Sequence, residues 1–501
     1  MLVMAVFAVA ALVFHLVFNR GYGYFRDELY YFACGQHLDW GYVDQPPLIA
    51  AVARVSRALL GDSLGAIRLF PALASALKVA LTGLIARQFG GKTWAVALAC
   101  AASLSALVYL GIDNILTMNA FEPLFWMGCA WMVARIANGG SPRLWLWFGV
   151  LAGLGLENKH SMVFFGAALV VGLLLTPMRR HFAGGWIWLG ALVAFLIALP
   201  NVIWEARHQW ATWELLNNVA HSNKDIVLGP VEFIKQQILI MNPASAPLWI
   251  AGLAWLLLAG DGRRYRALGI AYLVALVEFI ALHGKHYYLA PAYPMLFAAG
   301  GVAAEKLSGT RLAWLRPAAL LAMIALAALL APTVTPILSP DKTISYMKAI
   351  HFHPPETETG HTAALPQVLA DQFGWQEMVR EVAQVYNSLP PEHRAKAAIF
   401  TQDYGQAGAI DFFGPKYGLP PALSGHQSYY LWGPRSYTGE VMVVLDARAD
   451  AERRQFASVE DMGPVNISPF AMPWERRQHI YVCRGLKMPL AKLWPMLKNW
   501  L

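Results

Sequence analysis

The residues of this chain that most suggest chemistry lie in one short stretch, Phe25 to Leu48, which reads FRDELYYFACGQHLDWGYVDQPPL. It contains four carboxylates, namely Asp27, Glu28, Asp39 and Asp44. A carboxylate within hydrogen-bond reach of a hydroxyl can act as a general base, and two carboxylates on neighbouring segments can hold a divalent cation. Asp27, Glu28 and Asp44 are the candidate catalytic residues, and Asp27 and Asp44 would be the ligands of any metal ion; the sequence does not choose between the two roles. The alternative, solvated loop charges and helix caps, accounts for only one or two of them.

Two short helices are predicted to position these acids. Residues Asp27 to Leu38 contain no proline and read as a helix near the membrane interface, because the aromatic residues that follow Glu28 suit the headgroup level. A second helix is predicted to begin within DQPPLIA, since proline is favoured at the first helical position. Asp44, near that start, is favoured by the helix dipole.

A second candidate site is HGKHYYLAPAYP, which begins at His283 and contains Lys285, His286, Tyr287 and Tyr288. A cation here could bind a phosphate group by charge, and the tyrosine hydroxyls could donate hydrogen bonds to it. Lysine and tyrosine are also the ordinary anchors of a membrane interface. Composition alone favours neither interpretation.

Two further segments carry ionisable residues between or within apolar runs. GLENKHSM contains Glu157, Lys159 and His160, and a simple tight turn is favoured over a binding site there. Glu122 lies within an apolar run, where ionisable groups are costly and become functional candidates. It also precedes Pro123, so it could instead satisfy the backbone of a kinked helix.

The composition is that of a membrane protein. The chain has 501 residues, of which 57% are hydrophobic and 14% charged, with a mean hydropathy of +0.42; soluble domains carry about 25% charged residues. The net charge is +8, but no Lys/Arg tract interleaved with aromatic residues occurs, which excludes a nucleic-acid partner. The four cysteines show no metal-type spacing.

Apolar runs predict about eleven membrane-spanning helices, since crossing the hydrocarbon takes about 20 apolar residues. The first run lacks a basic leader and a small-residue cleavage site, which favours a retained helix over a cleaved signal. The predicted spans are Met1–Phe18, Ile67–Ala86, Trp94–Leu110, Ile115–Ala134, Leu144–Leu156, Met162–Leu175, Trp186–Ile203, Ala246–Leu258, Leu268–Leu282, Leu289–Ala304 and Leu312–Ala331.

Basic residues predict the orientation of these helices, because short cytoplasmic loops collect lysine and arginine. If the first helix runs from inside to outside, every inside loop is basic. The first loop (residues 19–66), residues 157–159 and 283–288 and everything after Pro332 then lie on the outer face, whereas Glu122 lies within a predicted span. The basic residues of the inside loops are Arg87, Lys92, Arg135, Arg143, Arg179, Arg180, Arg263, Arg264, Arg266, Lys306 and Arg311.

The chain after residue 332 has ordinary polarity and reads as a separate α/β domain. AAIFTQDY, EVMVVLDA and HIYVC read as strands, and GWQEMVREVAQVYNSL and DAERRQFASV read as amphipathic helices. Two segments rich in glycine and aromatic residues, TQDYGQAGAIDFFG and SGHQSYYLWG, predict glycan-facing or domain-packing loops. We therefore expect a catalytic domain at 1–332 and an extracytoplasmic domain at 333–501. An oxidising compartment would permit a Cys34–Cys483 disulfide but does not require one.

RDELYYFACGQHLDWGYVDQPPL, HYYLAPAYP and YGQAGAIDFFGPKYGLPPALSGHQSYYLWG together resemble the bacterial family-39 glycosyltransferases of the GT-C fold. These are relatives of the protein O-mannosyltransferases and of the transferase that adds aminoarabinose to lipid A. The resemblance covers essentially the whole chain. It implies a multi-pass enzyme of the bacterial inner membrane with its active site and C-terminal domain on the periplasmic side. Such enzymes take a monosaccharide from a polyprenyl phosphate and invert the anomeric carbon.

The resemblance also assigns roles to residues. It makes Asp27, within the acidic first-loop motif, the general base or the carboxylate that orients the acceptor. The aminoarabinose transferases have Glu-Lys before the Pro-Pro pair, whereas this chain has Asp44 and Gln45 and so lacks the lysine that contacts the lipid phosphate. Lys285, Lys159 or His286 would then supply the charge. The predicted donor-binding residues are Lys285, His286, Tyr287, Tyr288, Gln45, Lys159 and Arg26.

The prediction from the sequence is an integral-membrane glycosyltransferase that uses a polyprenyl-phosphate sugar and a lipid, glycan or protein acceptor. No cofactor is required by the residues, although a divalent ion is compatible with them. One alternative is a transporter or flippase, which would place titratable residues near the midplane of several spans. Another is a membrane-anchored binding protein, which would leave the first-loop acids without a role.

Overall fold

The structure is a computed structural model that describes residues 1–222, 224, 226–353 and 363–501. It is mostly helical, with one small sheet near the C-terminal end of the chain. The described residues form two compact units, each assembled from separate stretches of the chain. The first unit comprises Met1–Gly21, Leu60–Trp204 and Val227–Leu338, and the second comprises Tyr22–Leu59, Glu205–Ile226 and Ser339–Leu501.

The first unit is built from apolar helices, and each predicted span coincides with one of them. The helix of the third predicted span is broken at Ala106. A further helix, Pro230–Ile240, was not predicted from the sequence. The helices are Leu2–Phe18, Leu64–Ile67, Leu69–Gln88, Thr93–Ser105, Leu107–Ile112, Met118–Ala137, Leu144–Asn158, Met162–Leu174, Gly185–Arg207, Pro230–Ile240, Ala246–Leu258, Arg266–Ala281, Tyr293–Ser308 and Leu315–Leu330, with short 3-10 turns at Pro177–Ala183, Pro243–Ser245, Arg263–Tyr265, His286–Ala292 and Ala331–Thr333.

Fewer helices than predicted are long enough to cross a membrane unaided. Among the described residues, Leu64–Gln88, Gly185–Arg207 and Leu315–Thr333 have the required length and apolar composition. Two bent pairs, Met162–Leu174 with Pro177–Ala183 and Pro230–Ile240 with Pro243–Leu258, raise the number to 5 if each pair is one span. The other helices of the first unit are shorter or, like Met118–Ala137 with 20 residues, do not reach the required apolar composition, so the predicted number of about eleven spans stays a prediction.

Helices of the first unit approach each other closely at glycines, which have no side chain to hold the backbones apart. A Cβ atom on Gly300 would lie 2.0 Å from the carbonyl oxygen of Leu248, and one on Gly252 would lie 2.2 Å from that of Leu296. At these residues the backbones of the helices Ala246–Leu258 and Tyr293–Ser308 are in direct contact. The small residues of this unit therefore serve helix packing, as is usual for helices in membranes.

The second unit contains a five-stranded sheet. Its strands are β1 (Ala397–Thr401), β2 (Leu423–Ser424), β3 (Val441–Asp446), β4 (Phe456–Pro464) and β5 (His479–Leu486), in the order β2-β1-β3-β5-β4. β1 pairs in parallel with β2 and β3, whereas β5 pairs antiparallel with β3 and β4. The three predicted strands, now β1, β3 and β5, are confirmed.

Helices complete the second unit. The predicted helix at residues 374–389 is confirmed as Trp375–Ser388. The predicted helix DAERRQFASV is wrong in its second half, because the helix ends at Gln455 and β4 begins at Phe456. The helices are Arg26–Gln36, Leu48–Leu60, Ala211–Ala220, Pro340–Ala349, Gln367–Ala370, Trp375–Ser388, Pro391–Arg394, Tyr404–Phe413, Ser428–Trp432, Asp450–Gln455 and Leu490–Leu493, with 3-10 turns at Gly414–Tyr417, Glu475–Arg477 and Trp494–Leu497.

The first-loop helix packs directly on a helix of the C-terminal segment. Arg26–Gln36 lies against Tyr404–Phe413, and glycine makes the approach possible. A Cβ on Gly408 would lie 2.8 Å from the backbone of Leu29, and one on Gly405 would lie 2.4 Å from Cγ of Arg26. The segment that we interpreted as a glycine-rich loop is thus a packing helix.

The domain division expected from the sequence, 1–332 and 333–501, stays a prediction. The contacts within the described residues divide the chain differently, since Tyr22–Leu59 of the first loop groups with Ser339–Leu501. The physical reason is the close packing of the two helices at Gly405 and Gly408. The acids of the first loop therefore belong to the same compact unit as the C-terminal segment.

We predict that Gly408→Ala destabilises the protein by about 1–3 kcal/mol, because the added methyl group would overlap the backbone of Leu29. The control is Gly166→Ala, also within a helix, where a Cβ meets nothing within 4 Å. It should be neutral or stabilising by up to about 1 kcal/mol. Thermal unfolding of the detergent-solubilised variants measures both, and equal melting temperatures would contradict the packing described here.

Candidate functional site

Asp27 lies in the first turn of the Arg26–Gln36 helix, and its side chain is 28% exposed. Its Oδ1 atom accepts a hydrogen bond of 2.8 Å from the hydroxyl of Tyr404. The same oxygen lies 3.6 Å from Nε of Arg26. Asp27 is thus held in one orientation and is still reachable from outside, as a general base must be.

Arg26 is surrounded by groups that balance its charge. Its guanidinium carbon lies 5.2 Å from the ring centroid of Tyr404, and its backbone N–H donates to the carbonyl of Asp371 at 3.1 Å. Burial alone would lower the pKa of Arg26, but the carboxylates of Asp371, Asp403 and Asp27 hold it well above the ordinary value. A permanently charged, already neutralised guanidinium supports a structural role better than the predicted contact with a lipid phosphate.

Glu28 caps the helix that carries Asp27. Its side chain is fully buried, and Oε2 accepts the backbone N–H of Phe25 at 2.8 Å, which forms one half of a capping box. This contact satisfies an amide at the helix N-terminus that the helix itself cannot bond. The structure therefore gives Glu28 a capping role, and its predicted catalytic role has no support from its surroundings.

Asp44 lies in a tight turn closed by two hydrogen bonds between the backbones of Tyr42 and Gln45. The Tyr30 hydroxyl lies 2.8 Å from both Asp44 Oδ1 and Ser428 Oγ, and Ser428 Oγ accepts the Val43 N–H at 3.1 Å. Burial, together with the charge of nearby Asp27, raises the pKa of Asp44 from 3.8 to about 6, although the Tyr30 hydrogen bond opposes this shift.

The helix predicted to begin with proline begins one residue after the Pro-Pro pair, at Leu48. Asp44 is therefore a turn residue that precedes this helix. Gln45 is fully buried, and its Nε2 lies 3.7 Å from Sγ of Cys34. In this position the Gln45 side chain faces a thiol inside the second unit, so its predicted contact with the donor has no support from its surroundings.

A third group of acids in the second unit was missed by sequence reasoning. Asp403 accepts the Gly405 N–H at 2.6 Å and lies 3.2 Å from Nδ1 of His426. Burial would raise the pKa of Asp403, but His426 and Arg26 outweigh burial and lower it to about 2. Burial and the charge of Asp403 raise the pKa of Glu475 to about 8. The sequence signal was the aspartate before YGQAG, which is a helix N-cap.

No metal centre is evident among the described residues, since they contain no group of three or more His, Cys, Asp or Glu side chains placed to hold a metal ion. A divalent ion at Asp27 and Asp44 stays a prediction. Cys34 and Cys483 are both buried and unpaired, so this structure contains no disulfide between them.

In the first unit the structure brings together two of the predicted donor-binding residues, Lys159 and Tyr288. The ammonium group of Lys159 lies 4.4 Å from the ring centroid of Tyr288 and donates to Asn119 Oδ1 at 2.7 Å and to Glu122 Oε2 at 3.0 Å. Glu122 also accepts the hydroxyl of Ser161. Lys159 is 12% exposed and Glu122 is 4% exposed. Glu122 is thus the partner of a lysine, which neither earlier interpretation of that residue included.

His286 and Tyr287 begin a short 3-10 helix, His286–Ala292, whose N-cap residue is Lys285. The His286 carbonyl accepts Nε2 of Gln237 at 2.8 Å. Burial, and then the charge of Lys285, lower the pKa of His286 to about 4, so this imidazole is neutral at pH 7. Tyr287 stands edge-on to Tyr288, with ring centroids 4.9 Å apart. His286 therefore supplies no cation, whereas half-buried Lys285 keeps that predicted role.

Comparison with known sequences gives two matches. Residues 44–204 match the family described as dolichyl-phosphate-mannose-protein mannosyltransferase. The lipid A galacturonosyltransferase RgtD of Rhizobium johnstonii is 30% identical over 237 residues, which are 45% of this chain and 48% of that protein. The alignment therefore spans about half the length of this relative.

Comparison with solved structures gives longer matches at lower identity. ArnT from Cupriavidus metallidurans superposes with a TM-score of 0.62 at 15% identity, over 95% of this chain and 97% of that one. The same protein bound to undecaprenyl phosphate gives 0.61 at 14% identity, with the same coverage. The arabinofuranosyltransferase AftD from Mycobacteria gives 0.53 at 13% identity, over 97% of this chain and 40% of that one.

The chain has the GT-C fold. The resemblance to the GT-C glycosyltransferases is thereby confirmed, and so is the mostly helical architecture with a small C-terminal sheet. The segment that matches the mannosyltransferase family begins at Asp44 and includes Glu122 and Lys159. Asp27 and Tyr404 lie outside the matched residues, so their roles depend on the geometry described above.

We predict that Asp44 makes stability depend on pH. Because its pKa is raised from 3.8 to about 6, its contribution is fully present below pH 3.8 and is lost as the pH rises through 6. The melting temperature of the wild type relative to that of Asp44→Asn should therefore be higher at pH 5 than at pH 7. Asp39→Asn, an exposed acid of the same loop, should follow the wild type. Parallel curves for wild type and Asp44→Asn would contradict the shift.

Proposed function

We propose that this chain is a membrane glycosyltransferase that moves a monosaccharide from a polyprenyl-phosphate-linked donor to an envelope lipid, glycan or protein, with inversion at the anomeric carbon. The observation that carries the proposal is the GT-C fold over almost the full length of both this chain and ArnT. One ArnT structure is bound to undecaprenyl phosphate, which supports a lipid phosphate of this class as the donor carrier.

The proposed reaction needs a group that takes a proton from the acceptor hydroxyl. Asp27 is the best candidate because it is oriented by Tyr404 and remains partly exposed. The acceptor oxygen would form a bond to the anomeric carbon as Asp27 receives the hydroxyl proton. The bond between the anomeric carbon and the phosphate oxygen would break, and the polyprenyl phosphate would leave with that electron pair. Asp44 and Glu28 would hold the loop in shape.

The leaving phosphate needs fixed positive charge, which stabilises the developing charge without a separate acid. Lys159 is the described candidate with the most defined position, since Asn119, Glu122 and Tyr288 hold its ammonium group. Lys285 is the second candidate. The family resemblance implies that a lysine before Pro-Pro contacts the phosphate in relatives with Glu-Lys, and here Lys159 or Lys285 would replace it.

The match to RgtD, a lipid A galacturonosyltransferase, supports a lipid A acceptor and a polyprenyl-phosphate galacturonic acid donor as the first combination to test. We place the chain in the bacterial inner membrane, with the first loop and the C-terminal segment on the periplasmic side. The basic inside loops support this orientation.

A flippase of a lipid-linked sugar is the second candidate, and one observation favours it. Lys78 and Asp113 form an ion pair in the first unit in which both side chains are 0% exposed. Buried ion pairs among membrane helices are typical of transport pathways. A flippase would translocate the lipid-linked sugar without forming a new glycosidic bond.

The decisive experiment uses purified chain in liposomes with radiolabelled polyprenyl-phosphate sugars and lipid A as acceptor. Asp27→Asn should lower the rate of transfer by at least about 100-fold, because the amide cannot accept the proton. Asp39→Asn is the matched control and should transfer at the wild-type rate. Transfer by Asp27→Asn at the wild-type rate would remove Asp27 from the mechanism, and translocation without transfer by the wild type would favour the flippase.

We predict that Lys159→Met raises the donor KM by about 10- to 100-fold, as expected for the loss of a charged hydrogen bond to phosphate. The change should be made in a Glu122→Gln background, so that no buried carboxylate loses its partner, and compared with Glu122→Gln alone. Lys235→Met, which removes a lysine that is 66% exposed and paired with Glu232, is the surface control. An unchanged donor KM would assign the phosphate to another cation.

A further inference from the structure

The carboxylate proposed as the base is held by a side chain that lies 377 positions away in the sequence. The Tyr404 hydroxyl donates to Asp27 Oδ1 at 2.8 Å, so one lone-pair direction of that oxygen is occupied. In the proposed reaction the other oxygen of the carboxylate would meet the acceptor hydroxyl. Rotation of the Asp27 side chain is restricted by this bond and by the nearby Nε of Arg26.

Tyr404 is itself fixed from several sides. Its ring centroid lies 4.8 Å from that of Tyr30 and 4.9 Å from that of His426, and the Arg26 guanidinium lies over its face. Tyr404 begins the Tyr404–Phe413 helix, whose N-cap is Asp403. The position of the hydroxyl is therefore set by a helix terminus and three neighbouring side chains.

The chemistry of Tyr404 suits a donor that keeps its proton. Burial raises the pKa of Tyr404 well above its ordinary value, and the charges of Asp27 and Asp403 add to the shift although Arg26 opposes it. A neutral hydroxyl can donate to Asp27 throughout the working pH range but cannot serve as the base. The residue thus acts through Asp27.

We propose that Tyr404 is a positioning residue for transfer, by which the C-terminal segment orients the first-loop carboxylate toward the acceptor hydroxyl. This inference rests on the proposed role of Asp27. It gives the C-terminal segment a direct part in the rate of the reaction and does not require that segment to touch the sugar.

The test compares Tyr404→Phe with Tyr429→Phe in the full-length protein. Tyr429 is the matched control, because its buried hydroxyl also donates to a carboxylate at 2.8 Å, that of Asp411, which has no proposed part in transfer. Tyr404→Phe keeps the ring and should lower kcat by about 10- to 100-fold with the donor KM within about twofold, since small misplacement of a reacting group carries a penalty of this size. Tyr429→Phe should keep the wild-type kcat.

A double-mutant cycle separates positioning from a loss of stability. If Tyr404 acts through Asp27, then Asp27→Asn with Tyr404→Phe should be no slower than Asp27→Asn alone. A double variant slower by the full Tyr404→Phe factor would overturn the inference, and so would a wild-type kcat for Tyr404→Phe. Melting temperatures are recorded for all variants, and kcat is measured at a temperature at which each is folded. Wild-type transfer by Asp27→Asn would instead contradict the proposed base, which is a distinguishable result.

Discussion

The close contact between the Arg26–Gln36 and Tyr404–Phe413 helices is the constraint on which the candidate active site depends. A side chain at Gly408 would push the helices apart, because the neighbouring atoms are backbone that cannot rotate away, and a side chain at Gly405 would displace the Arg26 side chain. The separation set by these glycines is also the separation across which Tyr404 reaches Asp27. The spacing that lets the two helices pack is therefore the same spacing that lets Tyr404 orient the Asp27 carboxylate.

Burial and charge give the acids of the second unit different properties although they share one chemical group. The pKa is about 2 for Asp403, about 6 for Asp44 and about 8 for Glu475. Asp403 is ionised because His426 and Arg26 face it, whereas Glu475 is buried with Asp403 as a charged neighbour. Environments that separate the pKa values of like groups are a recurrent feature of functional sites, although structural networks also produce them.

Much of this arrangement was predictable from local sequence. The absence of proline from residues 27–38 predicted the first-loop helix. The apolar runs predicted eleven spans, and each of them coincides with a helix of the first unit. β4 was missed because most of its residues are exposed, so it lacks the apolar alternation that marks a half-buried strand. The capping role of Glu28 was within reach of the sequence, since it needs only Phe25 three positions earlier. The bonds of Tyr404 to Asp27 and of Lys159 to Glu122 were not, because periodicity carries no information about which distant residues meet.

The assembly of the second unit from three stretches of chain has a consequence for biosynthesis. The Arg26–Gln36 helix leaves the ribosome about 370 residues before the helix against which it packs. At roughly 5–20 residues per second the delay is on the order of 20–70 s. Throughout that interval Leu29, Tyr30 and Phe32, which are buried in the finished protein, lack their covering helix. These apolar side chains gain their native cover only when synthesis of the C-terminal segment completes the unit.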